Sequence, residues 1–203
     1  MALAVVGPVA VAGAWVLVRA GLATVWTAMG VTLGVLGLLS LATGEPRAFT
    51  ELGPWWDLVS GVMSGVALWG ATAAFMAVAG GWPLLARHAG ALYEERRGVS
   101  LRRALFVSVL VTAPGEELLW RGVVMGALGS VLPPWTAAAV AWSAYVAANA
   151  ASGSVPIILG AVVGGAAWTA LAVWTGGVVA SIGCHAAWTA LMILLPPVPR
   201  VEP

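Results

Sequence analysis

The chain has 203 residues, 61% of them apolar and 8% charged, with a mean hydropathy of +0.99. Soluble domains carry roughly a quarter charged residues, so a chain this poor in charge cannot coat a globule with hydrated side chains and must face something other than water. Its net charge of +1, without a single lysine, gives no sign of a nucleic-acid footprint, and its one cysteine, Cys184, excludes an internal disulfide.

Apolar runs of spanning length recur along the sequence, which predicts an all-α polytopic bundle in a lipid bilayer. The first run covers residues 2–18. No basic segment precedes it and its first charge is Arg19, so it reads as a retained span rather than a cleaved signal. Further runs follow at 24–41, 58–79, 104–128, 133–151, 156–174 and 177–195, giving seven expected spans with a tolerance of one. The short connections leave open that the first two or the last two enter as re-entrant hairpins.

Between the third and fourth runs, residues 80–103 hold Arg87, Arg96, Arg97, Arg102 and Arg103, more than half of the nine arginines. Such segments stay in the cytoplasm, which puts the amino terminus outside, Arg19 and Arg200 inside, and the loop with Glu45, Glu51 and Asp57 outside. In "PLLARHAGALYEERR", Leu84, Leu85, Ala89 and Leu92 fall near one face, suiting a helix that lies along the headgroups; a solvated linker is the equal alternative.

Trp55, Trp56, Trp82 and Trp135 sit at expected span ends, where an amphipathic indole is at home. Gly30 with Gly34, Gly61 with Gly65, and Gly160 with Gly164 supply small faces at helical spacing for close helix approach. No internal repeat is visible, which counts against a transporter. Alanine-, glycine- and arginine-rich usage without lysine fits a GC-rich bacterial genome, and with it a multi-pass protein of the bacterial plasma membrane.

The ionisable residues are unevenly placed. Spans one to three hold none away from their ends, whereas span four holds Glu116, Glu117 and Arg121 and span seven holds His185. Each such group costs several kcal/mol in lipid unless it is paired or faces a cavity, so these are functional candidates by default. Glu117 and Arg121 lie four apart on one helix face, with the acid on the amino-terminal side, the favourable order for an ion pair. Glu116 points away by about 100° and has no such cation, which makes it the better general base. The alternative is a buried salt-bridge cluster that only fixes packing, although a second glutamate beside the pair is hard to explain that way. His185 with Thr189, and Tyr145 with Asn149, repeat the four-residue spacing, so three helices present polar pairs to one cavity.

"EELLWR" at 116–121 resembles the EExxxR motif of the CAAX-protease and bacteriocin-processing (CPBP, or Abi) family of membrane proteins. The family's second motif, FxxxH, is matched in position by "YVAAN" at 145–149, and its third, HxxxN, by "HAAWT" at 185–189. The resemblance covers about 103–195 and implies a division into three amino-terminal helices with a basic cytoplasmic segment (1–103), a catalytic core (104–195) and a cytoplasmic tail (196–203). It further implies an endopeptidase acting on a peptide or lipid-modified protein near the cytoplasmic leaflet. In that scheme Glu116 activates water, Glu117 and Arg121 support it, and His185 stabilises the oxyanion. Asn149 stands where the family has the histidine that helps hold the water, and Thr189 where it has an asparagine beside the oxyanion.

These two departures keep a second reading open: a catalytically impaired relative that binds membrane peptides or proteins, or confers immunity. A small carrier or channel in which the buried carboxylates relay protons or cations is the third. No metal or other cofactor is expected, because zinc wants three protein ligands and an open position, whereas this chain offers His185 and two glutamates, one of them paired to arginine.

Overall fold

The computed structural model describes residues 2–43, 53–79 and 81–197. Glu45, Glu51, Arg200 and most of the expected tail at 196–203 lie outside them. The described residues form helices without any strand, the all-α bundle expected from the apolar runs.

Helices α1 (Ala2–Arg19), α2 (Val25–Ala42) and α3 (Pro54–Ala79) are followed by a fourth, α4 (Pro83–Arg97). The next rod, α5, runs from Leu101 to Gly129 as contiguous turns that alternate in pitch: α at Leu101–Leu105, π at Phe106–Thr112, α at Ala113–Glu117, π at Leu118–Val124 and α at Met125–Gly129. Helices α6 (Pro134–Ala150), α7 (Val155–Thr175) and α8 (Val179–Leu194) complete the bundle.

Local sequence sets these boundaries. Thr24 and Ser100 accept hydrogen bonds from the amides of Thr27 and Arg103, capping α2 and α5. Proline opens α4 and α6, where its missing N–H costs nothing. Gly176, at φ 68°, ends α7 in the left-handed region and turns the chain directly into α8.

Every expected span corresponds to a helix, and α1, α2, α3 and α7 are long and apolar enough to cross a membrane. Large apolar side chains such as Val9, Leu38, Val78 and Leu110 stand on the outer surface, an arrangement that suits lipid rather than water. Helix α3 begins four residues earlier than the apolar run suggests. The run was broken at Asp57, but the helix continues through this residue, which is buried. Within the basic segment Pro83–Arg97 is helical, as α4, and Leu85 and Ala89 on its apolar face are buried.

Two close approaches fix the bundle. Helix α3 runs along α8 with Gly61 and Gly65 at the contact, where an added Cβ would drive into the carbonyl oxygens of Ala180 and Cys184. Helix α2 meets α5 at Gly37 and Gly115; a Cβ on Gly37 would lie 2.9 Å from the Gly115 Cα. Gly115 immediately precedes Glu116, so this contact sets the depth at which the two glutamates enter the core. Around them pack Val11, Trp15, Leu33, Leu119, Trp120, Tyr145 and Trp168.

Candidate active site

Helix α5 carries the acids on a short α stretch held between two π segments. Pro114 lacks an N–H and its ring would crowd the carbonyl four residues back. The widened turn before it relieves that conflict: the Ala113 amide bonds to the carbonyl of Ser108, five residues earlier. Single π turns inside α-helices recur at functional sites, because they re-aim the side chains that follow.

Glu117 is fully buried. Its Oε1 accepts a 3.1 Å bond from Arg121 Nη1 and lies 2.8 Å from His185 Nδ1. Arg121 uses its remaining donors on α7: Nη2 donates to the Gly165 carbonyl at 2.8 Å, while Nε and Nη2 both donate to Thr169 Oγ1, at 3.2 and 3.1 Å. One guanidinium thus joins α5 to α7, and one carboxylate oxygen joins it to α8. Since an ionised carboxylate only accepts, Nδ1 of His185 carries the proton in that contact and Nε2 is left facing Glu116, 4.0 Å from its Oε2.

Glu116 points out of this network. Its Oε2 accepts a 2.8 Å hydrogen bond from the Tyr145 hydroxyl of α6. Asn149, one turn further on, lies beside it with its carboxamide anchored at both ends: Oδ1 accepts from Trp15 Nε1 at 3.0 Å, and Nδ2 donates to the Tyr145 carbonyl at 3.0 Å. Thr189 is half-buried on α8, one turn beyond His185.

A cavity of about 550 Å³ lies in front of these groups, and Glu116, Tyr145, Asn149, His185 and Thr189 all line it. Glu117 does not. The opposite wall is largely apolar and comes from α3 and α4, including Leu68, Phe75, Leu85 and Tyr93. Helix α4 is pinned over the cavity by the Tyr93 hydroxyl, which donates to the Met192 carbonyl at 3.2 Å, and by His88 Nδ1, which accepts from the Val155 amide at 3.4 Å. Burial pushes the Tyr93 phenol up to about 12, so it remains a donor across the ordinary pH range.

The structure also places residues at the site that sequence reasoning passed over. Trp168 stacks on the His185 imidazole, with 3.6 Å between ring centroids and 11° between planes. Gly164, one turn earlier on the same helix, makes room for that indole: a Cβ there would come within 2.9 Å of it. Thr169 and Trp15 are the hydrogen-bonding partners of Arg121 and Asn149. The available signal was position, because Trp15, Trp168 and Thr169 lie within expected spans rather than at the ends where indoles serve as belts. Among the described residues, no group of three His, Cys, Asp or Glu side chains is arranged to hold a metal ion.

No curated protein and no solved structure matches the chain. A family match is found for the segment 99–191, which contains all three polar helix pairs and both glutamates, to the family described as type II CAAX prenyl endopeptidase Rce1-like. Over that segment the chain is similar to the Rce1-like family, in agreement with the resemblance carried by its three motifs.

Proposed function

We propose that the chain is an intramembrane endopeptidase in which Glu116 activates water for attack on a peptide bond. The observation that carries this reading is the division of labour between two adjacent carboxylates. Glu117 is consumed by Arg121 and His185, whereas Glu116 lines the cavity and is not bonded to the guanidinium. Such an arrangement separates a structural anion from a usable base.

In this mechanism a carboxylate oxygen of Glu116 takes a proton from water as the water oxygen attacks the peptide carbonyl carbon. The carbonyl oxygen becomes an oxyanion, which His185 Nε2–H and the Thr189 hydroxyl stabilise. Glu116 then returns the proton to the departing nitrogen as the C–N bond breaks. A proton on His185 Nε2 makes the imidazole a second cation beside Arg121, balancing the two carboxylates in a buried cluster. Glu117 and Arg121 hold His185 and α7 in place, and Asn149 lines the cavity. The core of 104–195 supplies these groups, while the preceding three spans and α4 supply the opposing wall.

The cavity reaches α4, whose Arg96 is among its lining residues. With the arginine-rich segment in the cytoplasm, it opens toward the cytoplasmic leaflet of a bacterial plasma membrane. The family description extends the substrate to a prenylated carboxy-terminal peptide, and the apolar wall supports a lipid-modified chain as the ligand.

A second reading, a relative that binds such chains without cutting them, draws on Asn149, which cannot take up a proton and is already tied to Trp15 and Tyr145. Comparing protein termini in membranes of cells expressing wild type and Glu116→Gln at matched levels separates the two. New termini that vanish in Glu116→Gln establish the protease and identify its substrates. A terminus set that does not depend on Glu116 favours the binding protein.

A further inference from the structure

We infer that Tyr145 is the positioning residue for the base, holding Glu116 through its hydroxyl while Asn149 serves as scaffold beneath it. This rests on the reading of Glu116 as the group that activates water.

The two polar residues of α6 are engaged in different ways. The Asn149 carboxamide bridges the bundle, taking the Trp15 indole N–H from α1 and giving an N–H to the Tyr145 carbonyl one turn back. Its hydrogen bonds therefore set the position of Tyr145. Tyr145, in turn, spends its one donor on Glu116 Oε2 at 2.8 Å, and among the described residues it is the hydrogen-bond donor that this carboxylate has. A charge-assisted bond of this length is stronger than an ordinary one and restricts carboxylate rotation. With Oε2 taken, Oε1 is the oxygen left for water.

The ring itself cannot drift. Trp120 and Trp168 meet it edge-on at centroid distances of 5.4 and 6.3 Å, and the Arg121 guanidinium carbon sits 4.8 Å over its centre. Gly165 clears the space it needs, since a Cβ there would lie 2.9 Å from Tyr145 Cδ1 and Cε1. The hydroxyl is thus held at Glu116 by packing that does not depend on the hydroxyl. In the reaction the phenol keeps its proton throughout. Its task is to fix which carboxylate oxygen receives the proton of water, a preorganisation that would otherwise have to be achieved at each turnover.

The test uses the full-length protein in lipid nanodiscs with a farnesylated peptide ending in Cys-aliphatic-aliphatic-X. Tyr145→Phe removes the hydroxyl and keeps the ring, so it should lower kcat about 10- to 100-fold with KM unchanged and the thermal midpoint retained. In a Glu116→Asp background, whose carboxylate is withdrawn from the phenol, adding Tyr145→Phe should cause no further loss. An unchanged kcat in Tyr145→Phe, or the same fold loss in both backgrounds, would overturn the inference. Cleavage by Glu116→Gln at the wild-type rate would overturn this inference together with the base assignment, whereas Tyr145→Phe at full rate beside an inactive Glu116→Gln would remove this one alone. An independent readout needs no turnover: the infrared carboxylate stretch assigned to Glu116 by difference against Glu116→Gln should shift in Tyr145→Phe, and an unshifted band would contradict the bond.

Discussion

His185 and Arg121 meet at a single atom, Glu117 Oε1, which lies 2.8 Å from the imidazole Nδ1 and 3.1 Å from the guanidinium Nη1. Three helices are joined there. The consequences for stability differ sharply from one member to the next.

Arg121→Ala takes the guanidinium from the buried Glu117 carboxylate, leaving it His185 alone, and also removes the bonds to Gly165 and Thr169. Breaking such a pair by deleting one partner costs about 3–5 kcal/mol, so the variant should accumulate poorly and unfold at a much lower temperature in detergent. Arg121→Lys keeps the charge but loses the planar fork, and should fall between the two. Equal thermal midpoints for all three proteins would show that the network does not hold the bundle.

In the proposed mechanism Trp168 acts through His185, on which it stacks. Replacing it with alanine removes the stacked face and opens the imidazole to other rotamers. Ring pairs of this kind contribute about 0.5–1.5 kcal/mol, so kcat/KM should fall roughly 2- to 10-fold, with Trp168→Phe closer to wild type. Proteolysis assays on the two variants give the answer directly, and identical rates for alanine and wild type would remove the indole from the account.

The contact between α3 and α8 predicts a contrast among glycines. Gly61→Leu and Gly65→Leu must push the helices apart against a backbone that cannot yield, and overpacking costs about 1–3 kcal/mol or more. Gly70→Ala, on the same helix, meets open space and should be tolerated. Membrane accumulation measured by a fluorescent fusion compares them; a Gly61→Leu variant as abundant as Gly70→Ala would refute the close approach.

Trp15→Phe removes the donor to Asn149 Oδ1 while preserving most of the ring volume. Leaving that buried acceptor without its partner costs roughly 1–3 kcal/mol, and the loss should disappear when Asn149 is replaced by leucine in the same chain. Thermal unfolding of the single and double variants forms the test, with additive losses as the contrary result.

Much of the fold could be read from the sequence because lipid simplifies the problem: an apolar run of spanning length, in a chain almost free of charge, has to be a helix. The places where that reading fell short share one cause, which is that hydropathy counts composition and not shape. Asp57 broke the apolar run but not α3. The π turns on either side of Glu116 and Glu117 are a response to Pro114 and to packing, neither of which has a hydropathy signature. Glu117 and Arg121 were readable as a pair, and His185 as a separate polar group, because charges inside spans are rare; the contact of His185 with Glu117 was not. Trp168 and Thr169 were not, since an apolar indole and a small hydroxyl in a glycine-rich helix look like ordinary packing until the guanidinium and the imidazole are seen to land on them.

The role proposed for Glu116 is to activate water for peptide hydrolysis. Its most direct test is cleavage of a farnesylated peptide by the purified protein in nanodiscs made up in ¹⁸O-labelled water, followed by mass spectrometry of the product. Wild type should place one ¹⁸O atom in the new carboxyl group, and Glu116→Gln, folded to the same extent, should release no product. Labelled product formed by Glu116→Gln at the wild-type rate would contradict the account.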